Sequence, residues 1–194
     1  MIKISDEDLV KQVLSGKRKA FETLIDRYQK TVFNVAYRST KNYDDSQDIT
    51  QSVFIKAFEN LSTFNSTYRF FSWLYRIAVN ESINYINQRK QLKSLDADIV
   101  TEDTMPDEKY QEEEITNEIQ SALLEIDINY RIIIILKHFQ YCTYKEIGYI
   151  LDIPEKTVKS RLYSARQMLK DVLQKKGFPV SSIRTIYPIL TLPV

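Results

Sequence analysis

Three glycines, five prolines and one cysteine are few for a chain of 194 residues. So little turn chemistry argues against hairpins and for helices nearly throughout. The lone Cys142 excludes an intramolecular disulfide and fits a reducing cytoplasm; among aromatic neighbours it reads as packing. One histidine, His138, and no glycine-rich phosphate loop leave little for acid–base, metal or nucleotide chemistry, so no cofactor is expected. Long apolar runs are lacking too. Nothing matches a signal peptide or a bilayer span, so no membrane insertion is expected.

Charge is present, and it comes in blocks. Residues 1–94 hold 15 Lys and Arg against 10 Asp and Glu, a balance of +5. Residues 95–118 hold one basic residue against 10 acidic ones, a balance of −9, and residues 119–194 hold 11 against 6, again +5. The near-neutral total of +1 therefore hides two mildly basic modules around an acidic strap.

The most informative stretch is Tyr144 to Arg166: a short helix, a tight turn at Asp152 to Pro154, then a helix opening with basic and hydroxyl residues. This is the layout of a helix-turn-helix, whose second helix enters the major groove of DNA. With Val158 at zero on a helical wheel, Leu162, Ala165 and Leu169 fall within roughly 40° of it and form an apolar face. Lys156, Ser160, Tyr163 and Gln167 lie opposite, with Lys159 and Arg166 at the edge. Such a face can donate to base edges and phosphates together. Asp152 takes the turn position that calls for a left-handed backbone, and Pro154 falls where a helix start tolerates it.

Apolar periodicity organises the remainder. Ser5 before Asp6-Glu7-Asp8 caps a short opening helix. Ala20, Phe21, Leu24, Ile25, Tyr28, Val32, Val35 and Ala36 predict a helix near 18–39. Ile49, Val53, Phe54, Ala57, Phe58 and Leu61 predict one near 44–61, and Phe71, Leu74, Ile77, Ala78 and Tyr85 one over 69–88. Acidic, Pro106-containing residues 95–115 predict a flexible solvated linker. Residues 116–174 predict helices near 116–127, 129–139, 143–151 and 155–173. The expected fold is all-α: two small helical domains, 1–94 and 116–174, joined by the linker, the second containing the helix-turn-helix. The apolar, proline-containing tail at 175–194 reads either as a loose terminus or as a docking segment.

The 69–88 helix carries a second row, Trp73, Arg76, Asn80, Asn84 and Asn87, spaced by three and four. An exposed ring, a guanidinium and carboxamides are the groups that hold unstacked bases, and Arg89, Lys90 and Lys93 could follow the backbone beyond. Trp73 also fits a half-buried core position.

Three stretches in this order resemble the sigma-70 family of bacterial RNA polymerase initiation factors, in particular its small extracytoplasmic-function group. Ser46 to Leu61 is similar to the family's polymerase-binding helix, Phe71 to Asn80 to its promoter-melting helix, and Tyr144 to Arg166 to its minus-thirty-five reader. Residues 8–93 and 116–172 carry the likeness. It implies core RNA polymerase and promoter DNA as partners, and an anti-sigma protein as a third. Asp48, Gln51, Phe54 and Phe58 would dock on a coiled coil of the polymerase. Trp73, Arg76 and Asn80, with the loop from Asn60 to Thr67, would melt the minus-ten element; Asn84 and Arg89 would extend that contact. Lys156, Lys159, Ser160 and Tyr163 would read the minus-thirty-five element, with Arg161 and Arg166 on phosphates. The chain departs from the pattern at Asp152, where glycine is usual, at Gly148, where alanine is typical, and at Ile126-Asp127-Ile128-Asn129, where Leu-Pro is usual. The first two are expected to alter the turn's stability more than its geometry. Tyr163 replaces a frequent basic or His residue.

Three other readings explain less. A regulator that borrows the helix-turn-helix leaves residues 46–61 and the Trp73 row without a purpose. A metal-dependent phosphoryl hydrolase built on Asp44, Asp45 and Asp48 competes with the simpler service of acids at a helix start. A pure scaffold does not explain two basic flanks.

Overall fold

The computed structural model describes residues 4–95 and 114–178, and the expected linker and tail lie almost wholly outside them. Residues 1–100 and 101–194 form two units. Among the described residues every regular element is helical, as expected. None of these helices is long and apolar enough to cross a membrane.

The first unit holds α1 (Asp6–Leu14), α2 (Lys19–Thr40), α3 (Tyr43–Glu59), a 3-10 turn (Leu61–Thr63) and α4 (Phe70–Leu95). Ser5 caps α1 by accepting from the Asp8 amide at 3.1 Å, and three acids in the first turn complement the helix dipole. Asp6 then ties α1 to α2, accepting from Arg27 at 2.7 Å and from the Tyr28 hydroxyl. Lys41, left-handed at φ 53°, ends α2, and Asn42 starts α3 by accepting from the Asp45 amide at 2.7 Å. Helix α2 packs on both α3 and α4. The core is Leu24, Val32, Val35 and Ala36 of α2 with Ile49, Val53 and Ala57 of α3 and Leu74, Ala78 and Val79 of α4. The α4 stripe differs from expectation. Leu74 and Ala78 are buried, but Phe71, Ile77 and Tyr85 are only half-buried, while Phe70, Trp73 and Tyr75 are inside.

The second unit holds α5 (Glu114–Leu124), α6 (Ile128–Ile134) with a π-helical turn over 135–139, α7 (Tyr144–Leu151) and α8 (Glu155–Lys175). Ile132 to Leu136 are five consecutive buried apolar residues, more than one helical turn, so the chain is enclosed on all sides where α6 runs into its π turn. They pack beside Val158, Leu162, Ala165, Leu169 and Leu173 of α8. Where Leu-Pro is usual, Asp127 caps α6 by accepting from the Asn129 amide at 3.0 Å, and Ile126 and Ile128 are buried. Arg131 closes the α5–α6 turn, donating to the carbonyls of Leu124 at 2.8 Å and Ile126 at 3.0 Å. Cys142 is fully buried, consistent with a packing role.

Candidate nucleic-acid interface

The helix-turn-helix is built from caps upward. Thr143 and Glu146 form a capping box on α7: the Thr143 amide donates to Glu146 Oε2 at 2.8 Å, and the Glu146 amide to Thr143 Oγ1 at 3.2 Å. Asp152 ends α7 in the left-handed region, φ 55° and ψ 45°, with its amide on the Gly148 carbonyl. The Ile153 amide reaches the same carbonyl at 3.0 Å, and Pro154 precedes α8. Gly148 is part of this closure: a Cβ there would lie 2.9 Å from the Ile153 carbonyl oxygen. The expectation that glycine here alters stability more than geometry is therefore corrected. The turn as closed has no room for alanine.

On α8, Lys156, Lys159, Ser160, Arg161 and Tyr163 are all exposed; Lys156, Lys159, Ser160 and Tyr163 share the face away from Val158, and Arg161 stands at its flank, about 60° from Val158. Lys159 and Lys137 place their amines 5.5 Å and 4.5 Å from the Tyr144 ring centroid. Lys137 and Tyr144 were not among the expected site residues, because no periodicity links them to α8. Arg166 is a correction. It is only 5 % exposed, and its Nη2 lies 3.2 Å from His138 Nε2. Its place at the edge of the wheel, about 80° from Val158, is covered by the π turn that carries His138. Burial lowers the Arg166 pKa, and burial first, then Arg166 and Lys137, pushes that of His138 down to about 4.

In the first unit, Asn80, Asn84, Asn87 and Lys90 form an exposed run on α4, with Arg76 half-buried at its start. Trp73 does not lead that row. It is 6 % exposed, its ring 5.8 Å from Phe64 and 5.5 Å from Phe70, so the expected exposed stacking ring is a buried one beneath the 61–67 loop. Side chains brace the loop itself: Thr63 donates to the Asn60 carbonyl at 2.7 Å, and Asn65 Oδ1 accepts from the Thr67 amide at 2.9 Å. Arg89 is half-buried and ion-paired with Asp45, which also accepts from the Tyr85 hydroxyl at 2.5 Å. Burial, then the bond to Asp45, pushes the Tyr85 pKa up to about 12. Lys93 lies where side chains are not described.

Helix α3 presents Asp48 and Gln51 outward, with Phe58 45 % exposed. Phe54 is corrected to the core: it is 8 % exposed and packs edge-on to Phe21 at 6.5 Å. Ile55, 55 % exposed, takes its place in the row. Counting 48, 51, 55 and 58 by threes and fours would have found it. Of the rival carboxylate trio, Asp45 is taken up by Tyr85 and Arg89, and no cluster fit for a metal ion occurs among the described residues.

The comparisons agree with this geometry. The sigma-70 region 2 model matches residues 24–91 and the sigma-70 region 4 model residues 116–169. The chain is 34% identical to the ECF RNA polymerase sigma factor SigW of Bacillus subtilis over 85% of this chain and 95% of that protein. It is 31% identical to the ECF RNA polymerase sigma-E factor of Escherichia coli strain K12 over 88% of this chain and 95% of that one. Among solved structures, the sigma factor RpoE from Bartonella quintana, in complex with the anti-sigma factor NepR, aligns with TM-score 0.68 at 21% identity. That alignment covers 80% of this chain and 98% of RpoE, and it shows a shared fold. With both regions matched and relatives above 30% identity aligned over most of their length, the chain belongs to the sigma-70 family of RNA polymerase sigma factors, in its extracytoplasmic-function group.

Proposed function

We propose that this sigma factor divides its work between its two bodies. Residues 1–94 bind core RNA polymerase and open the minus-ten element, residues 116–174 read the minus-thirty-five element, and the acidic 95–115 stretch joins them. It acts in the cytoplasm, as a stoichiometric partner of the polymerase and not as an enzyme. The observation that carries the reading is the outward surface of α8, where Lys156, Lys159, Ser160 and Tyr163 are exposed together opposite the buried Val158, Leu162, Ala165 and Leu169, with Arg161 exposed at the flank.

On α4 the amides of Asn80 and Asn84, beside Arg76, supply edges for unpaired bases, while Trp73 acts from below by holding the 61–67 loop. Arg89, paired with Asp45, serves α4 before it serves DNA. Arg166 likewise holds α8 in place, leaving phosphates to Arg161 and the lysines. On α3 the docking row is Asp48, Gln51, Ile55 and Phe58, with Phe54 supporting it from inside.

The free protein binds DNA weakly, since each body offers few phosphate contacts and the acidic strap competes for them. Mounted on polymerase, the tethered bodies gain effective concentration for their own elements. An anti-sigma protein, of the kind seen with the Bartonella factor, is the further partner. The test is Asn80→Ala on two templates. Open-complex formation should fall far more on a double-stranded promoter than on a pre-melted one, and equal loss on both removes base capture from the account.

A further inference from the structure

Among the described residues, Lys41, Tyr141 and Asp152 are left-handed without being glycine. Lys41 ends α2 and Asp152 ends α7. Tyr141, at φ 53°, follows the π turn, where its neighbours close the chain: the Gln140 amide donates to the Ile135 carbonyl at 3.1 Å, and the Cys142 amide to that of Leu136 at 3.0 Å. This backbone is costly for a bulky residue, and glycine would make the same closure without strain. The tyrosine side chain gives the closure nothing in return. It is 86 % exposed, and its hydroxyl has no hydrogen bond among the described residues. The chain beside it is fixed, since Cys142 is fully buried and Lys137 Nζ reaches the Cys142 carbonyl at 3.4 Å. A strained backbone thus holds a phenol in solvent on a firm base.

Its place suits promoter DNA. Tyr141 stands two residues before Thr143, the cap of α7. The first helix of a helix-turn-helix crosses the phosphate backbone while the second reads bases. Cations surround the approach: the amines of Lys137 and of Lys159 on α8 both lie against the Tyr144 ring, and Lys145, the next residue, is exposed. Such surroundings favour a phosphate acceptor, to which a phenol hydroxyl donates without adding charge. We infer that Tyr141 anchors the second body on promoter DNA, its hydroxyl donating to a backbone phosphate beside the bases that α8 reads. The inference rests on the reading of residues 116–174 as the minus-thirty-five reader.

The test is holoenzyme binding to a promoter fragment from which the wild type initiates, measured over a series of salt concentrations. Tyr141→Phe and Tyr141→Gly should each weaken binding by about threefold to tenfold, as loss of one hydrogen bond does. A neutral phenol releases no counterion, so the dependence on salt should keep its slope, whereas Lys159→Ala should make it shallower by about one. Association with core polymerase without DNA should be unchanged. Tyr141→Gly should unfold at or above the wild-type temperature, relief of strain offsetting the greater freedom of glycine in the unfolded chain; a clear fall would make the side chain structural and overturn the inference. If Tyr141→Phe binds the promoter normally while Lys159→Ala does not, the reader stands and the Tyr141 contact is refuted. If Tyr141→Phe, Tyr141→Gly and Lys159→Ala all bind normally, the minus-thirty-five reading falls as well. If the Tyr141 variants weaken assembly without DNA, the ring serves a protein surface and the inference is overturned.

Discussion

Acidification should find His138 unwilling to take a proton. It is the chain's only histidine, and its Nε2 faces Arg166 Nη2 at 3.2 Å. Arginine can only donate, so Nε2 accepts and the neutral ring carries its proton on Nδ1. Protonation would oppose two cations at a half-buried site, which is why burial, Arg166 and Lys137 together depress the pKa from 6.5 to about 4. The unfolded chain then takes up the proton first. The histidine's contribution to stability is complete above the unfolded value near 6.5 and is lost as pH falls toward about 4. The full shift corresponds to about 3 kcal/mol, and at about pH 5 linkage gives a loss of about 2 kcal/mol. Partial exposure of the ring screens this to about 1 kcal/mol. With a single imidazole, proton NMR gives the titration directly, and the midpoint should fall near 4. Urea unfolding at about pH 7.5 and about pH 5 should show wild type losing about 1 kcal/mol more than His138→Gln, whose amide still accepts from Arg166 without titrating. A midpoint at or above the ordinary histidine value, or equal losses in the two proteins, refutes the reasoning.

Other expectations follow from the same contacts. Gly148→Ala should destabilise the second body by about 1–2 kcal/mol in urea unfolding despite the roughly 1 kcal/mol better helix propensity of alanine, because its Cβ meets a backbone oxygen at 2.9 Å; a gain in stability would contradict the turn geometry. Trp73→Ala should cost the first body about 3–5 kcal/mol, as truncation of a large buried ring does. As the chain's only tryptophan, Trp73 should also resist acrylamide quenching, and free quenching would return it to the surface. Ile55→Asp should weaken assembly with core polymerase by about tenfold or more, with thermal unfolding little changed because Ile55 is exposed.

Much of this was legible in the sequence, for reasons that also explain the misses. Strong periodicity located α2, α3 and α4 to within a few residues at most boundaries, and the left-handed Asp152 was readable because few non-glycine residues adopt that backbone readily. A helical wheel orders residues around an axis but does not say how wide an arc is covered. Trp73 sits beneath the 61–67 loop, Phe54 meets Phe21 of α2, and Arg166 is covered by the π turn, so all three proved buried. Ile55 belongs to neither the expected core stripe nor the expected docking row of α3, and it is exposed because α2 and α4 cover other parts of that helix. Arg89 was legible as a cation but not as the partner of Asp45, 44 positions earlier.

Run-off transcription with purified core polymerase on genomic fragments asks whether this protein directs the polymerase to start sites. Discrete transcripts should appear that require this protein, start downstream of a shared pair of spaced elements, and disappear with Lys159→Ala or Ile55→Asp. Transcripts of the same pattern without the protein, or none in its presence, would contradict that role.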